Sequence, residues 1–399
     1  MNRTGRRLTP AYRRLPHGLG VIGREEVARK QRTRLYSAMI EAIPERGYDA
    51  TTLAHVIALA GVPRHDFYGL FPNKEQCFLA TYDIVVARAR MRVLDAWTAE
   101  RGWANRLHAS CKTLLDDVAA SPNGPHLVLV DALGIGPKAR ERMLLASLTF
   151  ERLVNGAFEL APDGIGFPRL TARGIVGGMR HVIFTRLLEQ RERELYTLTD
   201  EALDWIESYR TPAAARLGVP APLNPIRQPP VPAAFLTRDE ERARVQFPSE
   251  EQCFLAVLDE FAREALDAVR PRFESASTWT EGVYQAMAAF VEYLVAHEAL
   301  LRIVFIDSFE VGPAITGRIT RSAESFTKLL IENGPEPRRG PQVAHEAITG
   351  AVWSIISGYV PNGRLSRLPC LVDYLAFIVL APYVGPKAAV EAIQGSRKP

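Results

Sequence analysis

Ten residues beginning at Phe71, FPNKEQCFLA, return beginning at Phe247 as FPSEEQCFLA, with eight positions identical. A repeat at a fixed offset restricts the architecture before any local propensity is considered, because each copy specifies the same supersecondary unit. The register extends well beyond the motif. Trp103 stands 176 residues before Trp279, Asp131 before Asp307, and Gly136-Pro137 before Gly312-Pro313. Farther on the offset shortens to 172 for Gly178 and Gly350, then to 170 for Leu195 with Leu365 and Leu198 with Leu368, as small loop deletions would leave it. The chain reads as two related bodies in tandem.

Composition sets the outer limits. At 399 residues and 47% apolar content the chain has room for two or three packed domains. Cys77, Cys111, Cys253 and Cys370 lie far apart, without the spacing of a zinc or redox site. Cys77 and Cys253 fall at equivalent repeat positions and are expected to pack inside helices. The arginine-rich N-terminus has no apolar signal core, and YLAFIVLAPYVG from Tyr374 is short and contains Pro382, so a soluble, cytoplasmic protein is expected. The net charge of +4 hides an asymmetry: residues 1–34 carry ten basic side chains against Glu25 and Glu26, a surplus of eight. Such an arm is either attracted to polyanions, nucleic acid first, or a solvated tail.

Helical periodicity dominates and no stretch alternates as a strand would, so the fold class is all-α. The first helix spans Arg24 to Arg46, with Pro44 expected to kink it or end it early. In TTLAHVIALAG, Thr51 or Thr52 can cap a second short helix and Gly61 can stop it. Pro63 suits the first position of a third, PRHDFYGLF. Two short helices across a glycine turn, behind a longer scaffold helix, form a helix-turn-helix pattern whose second member enters a major groove. Its polar residues are Arg64, His65 and Asp66, with Phe67, Leu70 and Phe71 facing inward. Arg64 can make a bidentate guanine contact or a phosphate contact, and the Tyr68 hydroxyl can reach phosphate. Lys74 begins the next helix, where its charge and the helix N-terminus both favour an anion.

The stretch GYDATTLAHVIALAGVPRHDFYGLFPNKEQ resembles the TetR family of transcriptional regulators, whose heads follow a pattern like GY..TT...IA..AGV...T.Y..F..KE. The arm LPHGLGVIGREEVARKQR is similar to that of actinobacterial members, and the resemblance covers residues 20–95. It implies an all-helical regulator in which Thr52, Arg64, His65, Tyr68 and Lys74 contact DNA, followed by a helical body that binds a ligand and dimerises. Two positions depart from the pattern: Asp66 replaces the usual Thr or Ser, and Leu70 a common His. An acidic side chain near phosphate should weaken binding unless it accepts from a cytosine amino group.

These readings divide the chain into a basic arm at 1–23, a DNA-binding head at 24–73, a first helical body at 74–211, a proline-rich linker at 212–237 and a second body at 238–393. Body helices are expected near 74–97, 104–121, 125–134, 137–160, 168–192 and 199–211, then near 250–269, 278–297, 299–310, 313–332, 340–358 and 367–384. The linker stands where a second head would be and carries no capped pair of short helices. Lys74 is replaced in the second copy by Glu250, which preserves a helix start while reversing the charge, so the second body should read no DNA. Aromatic and polar residues available to line an effector cavity are Trp103, His108, Phe150 and His181 in the first body, and Trp279, Tyr284, Tyr293 and Trp353 in the second; each serves equally well in packing. Asp131 and Asp307 precede Gly-Pro turns, where capping is the expected role.

No metalloprotease, nucleophile-elbow or P-loop spacing occurs, and no cofactor or metal is expected, which argues against an enzyme. The expected activity is sequence-specific DNA binding, most simply by a repressor that a small-molecule effector releases. The different-class alternative is a ligand-binding or protein-interaction scaffold with weakened DNA binding. Either the two bodies pair within one chain as a pseudo-dimer, or first bodies pair between chains as a homodimer, which the resemblance favours slightly.

Overall fold

The structure, a computed structural model, describes residues 23–162, 166–168, 170–211, 217, 250–298, 301, 304–305, 313–332, 334–338, 341–360 and 365–397. The N-terminal arm, nearly all of the proline-rich linker, Asp307 and the segment expected to form a helix at 299–310 fall largely outside those residues. Among the described residues there are helices and one isolated antiparallel bridge, Gly166 with Thr211, and no strand.

The head is built from α1 (Arg24–Arg46), α2 (Leu53–Ala60) and α3 (Arg64–Leu70). Pro44 lies inside α1, and the helix runs on past it to Arg46 before Gly47 closes it, with Gly47 N–H donating to Ile43 O. Thr52 caps α2: its Oγ1 accepts from His55 N–H at 3.2 Å. Gly61 ends α2 at φ +58°, a left-handed conformation that a Cβ would disfavour. Pro63 sits one position earlier than expected, as the N-cap of α3.

The first body comprises α4 (Lys74–Ala99), α5 (Trp103–Ala120), α6 (Asn123–His126), a π-helical turn (Leu127–Asp131), α7 (Pro137–Glu159), α8 (Thr171–Leu188), a 3-10 turn (Glu192–Thr197) and α9 (Thr199–Glu207). The second comprises α10 (Glu250–Glu274), α11 (Trp279–Ala296), α12 (Pro313–Ile331), α13 (Pro341–Ser357), a 3-10 turn (Leu365–Leu371), α14 (Val372–Val384) and α15 (Pro386–Ser396). The last of these was not anticipated. The starts of α4, α5 and α7 precede those of α10, α11 and α12 by the repeat offset of 176 residues. Trp103 Nε1 donates to Ala157 O at 2.7 Å, and Trp279 Nε1 donates to Leu330 O at 2.8 Å, so the paired tryptophans make paired bonds.

The apolar run from Tyr374 is α14, and Tyr374 to Tyr383 are all buried within the protein. Together with the 3-10 turn before it, it is apolar enough by length and composition to cross a membrane, but most of that span is packed inside the second body.

Helix α8 of the first body lies directly against α13 of the second. A Cβ added to Gly177 would fall 2.7 Å from Gly350 O, and one added to Gly350 would fall 2.6 Å from Gly177 O, so these backbones meet where no side chain fits. Around that contact the buried Arg186 pairs with Glu346, and Tyr209 Oη donates to Ile378 O at 3.0 Å. A single apolar core runs from Leu115 through Trp205 to Ile393 and so belongs to both bodies. The head has a separate core, in which Leu35, Met39 and Phe67 pack with Phe78, Leu127 and Val128 of the first body.

Candidate nucleic-acid interface and effector cavity

Helix α3 separates its residues as the pattern requires. Phe67 is fully buried, Phe71 nearly so, and Arg64, His65 and Tyr68 are exposed. Arg64 Nη2 lies 3.4 Å from Tyr68 Oη and the guanidinium stands 5.8 Å from the Tyr68 ring centroid, so the two form one surface unit. Thr52 is exposed at the start of α2, its oxygen accepting the capping bond and its hydroxyl hydrogen left to donate outward.

Asp66 is not the free carboxylate that the sequence suggests. Gln31 Nε2 of α1 donates to its Oδ2 at 2.7 Å and His65 Nε2 lies 2.6 Å from its Oδ1. Both oxygens are engaged within the head, and the residue ties α3 to the scaffold helix. Arg34 makes a second tie, donating from Nη2 to Gly61 O at 2.7 Å.

Lys74 also differs from expectation. Its ammonium donates to Tyr48 O at 2.8 Å and Thr51 O at 2.9 Å, and lies 3.9 Å from the Tyr48 ring centroid. Burial lowers its pKa from the ordinary lysine value. Two of its three N–H donors therefore brace the turn before α2, leaving one for another partner. The sequence shows a lysine at a helix start; its partners are set by the tertiary fold.

The head meets the first body through α4 and through the π-helical turn. Leu127 and Val128 pack into the head core while Val130 and Leu133 pack into the shared core. His126 Nδ1 lies 2.7 Å from Asp131 Oδ2 across that turn, a local contact near the Gly-Pro turn where a capping role was expected.

Below it, α4, α5, α7 and α8 enclose a cavity of about 480 Å³, within the range of about 300–1,000 Å³ usual for small-molecule sites. Its wall is almost wholly apolar, with Val86, Leu114, Phe150 and Met179 among its members, and no Asp or Glu among the described residues lines it. Its polar lining residues include Tyr82, Ser110, Ser147 and two arginines, the exposed Arg152 and the half-buried Arg180. Burial lowers the Arg180 pKa, and the Tyr82 phenol is the titratable group that acts on its charge. No described residue forms an ion pair or a hydrogen bond with Arg180. Neither Tyr82 nor Arg180 was anticipated as a site, although a half-buried cation beside Met179, Val182 and Ile183 is a readable signal.

Two smaller cavities, each of about 60 Å³, continue toward the second body. One lies between the bodies, where Arg180 and His181 of α8 face Thr349 and Trp353 of α13. The other lies inside the second body, among Phe261, Phe290, Phe305, Phe326 and Trp353.

Of the residues expected to line an effector site, Phe150, His181 and Trp353 border cavities. Trp103 and Trp279 are spent on carbonyl bonds, His108 lies 3.3 Å from Asp200 on a half-exposed face, and Tyr293 Oη donates to Glu264 at 2.9 Å. Tyr284 lies beside Asp373 and Arg397. None of these five borders a described cavity. No metal-binding cluster occurs among the described residues.

Residues 35–81 match the family model of bacterial regulatory proteins, tetR family. Solved structures with some likeness include the transcriptional regulator FadR from Bacillus subtilis in complex with stearoyl-CoA (TM-score 0.40, 16% identity, covering 44% of this chain and 96% of that one). Another is NalD, the secondary repressor of the MexAB-OprM multidrug efflux pump in Pseudomonas aeruginosa (TM-score 0.39, 18% identity, 47% and 100%). Likeness this slight carries no argument about the bodies. No curated protein matches the chain.

Proposed function

We propose that this chain, whose residues 35–81 carry a tetR-family DNA-binding domain, is a sequence-specific transcriptional repressor of the cytoplasm that a small molecule releases from its operator. The observation that carries the DNA-binding reading is the outer face of α3, where Arg64, His65 and Tyr68 stand exposed on a helix held by Gln31 through Asp66. Asp66 keeps its negative charge, but both of its oxygens are engaged, by Gln31 and by His65. Release follows by linkage: the π-helical turn touches the head core on one side and the cavity wall on the other, so a ligand that prefers one position of that turn changes DNA affinity by the same factor.

The packing of α8 on α13 favours the pseudo-dimer over the homodimer. In this reading the headless second body occupies the face that a partner chain would use, and one chain reads one half-site. Titration of genomic fragments against salt tests the DNA reading: affinity should fall with a log-log slope of about −0.9 per phosphate neutralised. No binding even at low salt would leave the scaffold alternative.

A further inference from the structure

The two bodies differ at their cavities, within the stretch that keeps the 176-residue register. Tyr82, Val85, Leu114 and Leu129 border the large first-body cavity, and the residues 176 positions later are Leu258, Phe261, Phe290 and Phe305, which border the small second-body cavity. Three aliphatic side chains have become phenylalanines that fill the space: Phe290 meets Phe326 at 4.6 Å between centroids and Phe305 stacks on Trp353 at 4.0 Å. Cavity volume falls accordingly from about 480 to about 60 Å³. The phenol and one guanidinium are lost as well, although Ser322, Thr327 and Thr349 line the smaller cavity. Leu258 lacks the Tyr82 hydroxyl, and Arg180 is matched at the local offset of 172 by Val352, which also borders the smaller cavity.

We infer that the first body holds one amphipathic anion per chain, its apolar tail in the cavity and its anionic head at Arg180 and Tyr82, and that the second body has closed the same site with its own side chains. The inference takes the effector cavity of the preceding reading as its location and adds the ligand class and the stoichiometry. A guanidinium drawn partly out of water without a paired carboxylate is costly, and an arriving anion offsets that cost while forming charge-assisted bonds. The acid-free wall excludes a cationic ligand by repulsion at Arg180. The apolar lining asks for a hydrocarbon body, since such surface gains most by leaving water. A carboxylate-headed chain meets all three conditions.

The test is calorimetric titration of the full-length protein with decanoate, tetradecanoate and hexadecanoate below their aggregation limits, beside the matching methyl esters and alkyltrimethylammonium salts. At least one acid should bind saturably at one per chain, at least about tenfold more tightly than its ester. Arg180→Met should erase that preference while leaving ester binding intact, which also reports that the variant is folded; Arg180→Lys should restore part of it. Leu114→Phe, which installs the second body's residue, should abolish acid and ester binding together. Absence of saturable binding by all three acids, two sites per chain, a preference that survives Arg180→Met, or acid binding that survives Leu114→Phe would each overturn the inference. DNA affinity measured in parallel separates the two readings. Acid binding without operator release removes the effector role and leaves the site; release by another compound with no acid binding does the reverse.

Discussion

Arg64 of the head and Lys74 at the start of α4 are both cations, yet of the two only Arg64 presents its charge outward. Arg64→Ala should cost about 1–3 kcal/mol of operator affinity and relax preference at one base pair, measured by binding to a set of single-base operator variants. Lys74→Met should instead lower thermal stability by about 1 kcal/mol, because two carbonyls lose their donor at a partly exposed site. An unchanged melting temperature with weaker DNA binding would return Lys74 to the role of a phosphate contact. Burial pushes the Cys77 thiol up to about 12, so a thiol reagent at neutral pH should label the exposed Cys370 and leave Cys77 unmodified until the protein unfolds. Rapid native labelling of Cys77 would contradict its burial.

Residues whose role is local were legible in the sequence. The Thr52 cap, the Gly61 stop and the inward Phe67 depend on neighbours within a turn or two. Roles set by distant groups were not. The Asp66 carboxylate looks hostile to DNA until Gln31 is seen against it, 35 residues earlier. Trp103, Trp279 and Tyr293 could be read as packing or as cavity residues, because an aromatic bonded to a carbonyl or carboxylate and one facing a ligand have the same sequence signature.

At the scale of elements, the repeat offset placed the helices of the second body because α10, α11 and α12 keep the register of α4, α5 and α7. Their ends were less legible: the shortened α8 and the π-helical turn at 127–131 depend on packing against other elements. The close approach of α8 and α13 gives this level its own test. Gly350→Ala places a Cβ 2.6 Å from the Gly177 carbonyl, and the helices must separate to admit it. Overpacking of this kind costs about 1–3 kcal/mol, which denaturant unfolding of the intact chain would record as a lower midpoint. A midpoint equal to wild type would mean that α8 and α13 do not meet in solution.

For the whole molecule, the proposed account divides the work between the two bodies. One copy keeps a head and an open cavity, while the other has a filled cavity and offers α13 to α8. In the proposed pseudo-dimer, the shared core and the buried Arg186–Glu346 pair would take the place of an interface between two chains. The sequence left both assemblies open, since a glycine such as Gly350 shows that a backbone can be approached without showing which backbone approaches it.

The most direct test combines sedimentation of the full-length protein with footprinting on its selected operator. The pseudo-dimer account predicts a single chain in solution at micromolar concentration that protects one half-site. A stable homodimer protecting two half-sites about 34–36 Å apart, in successive major grooves, would contradict it.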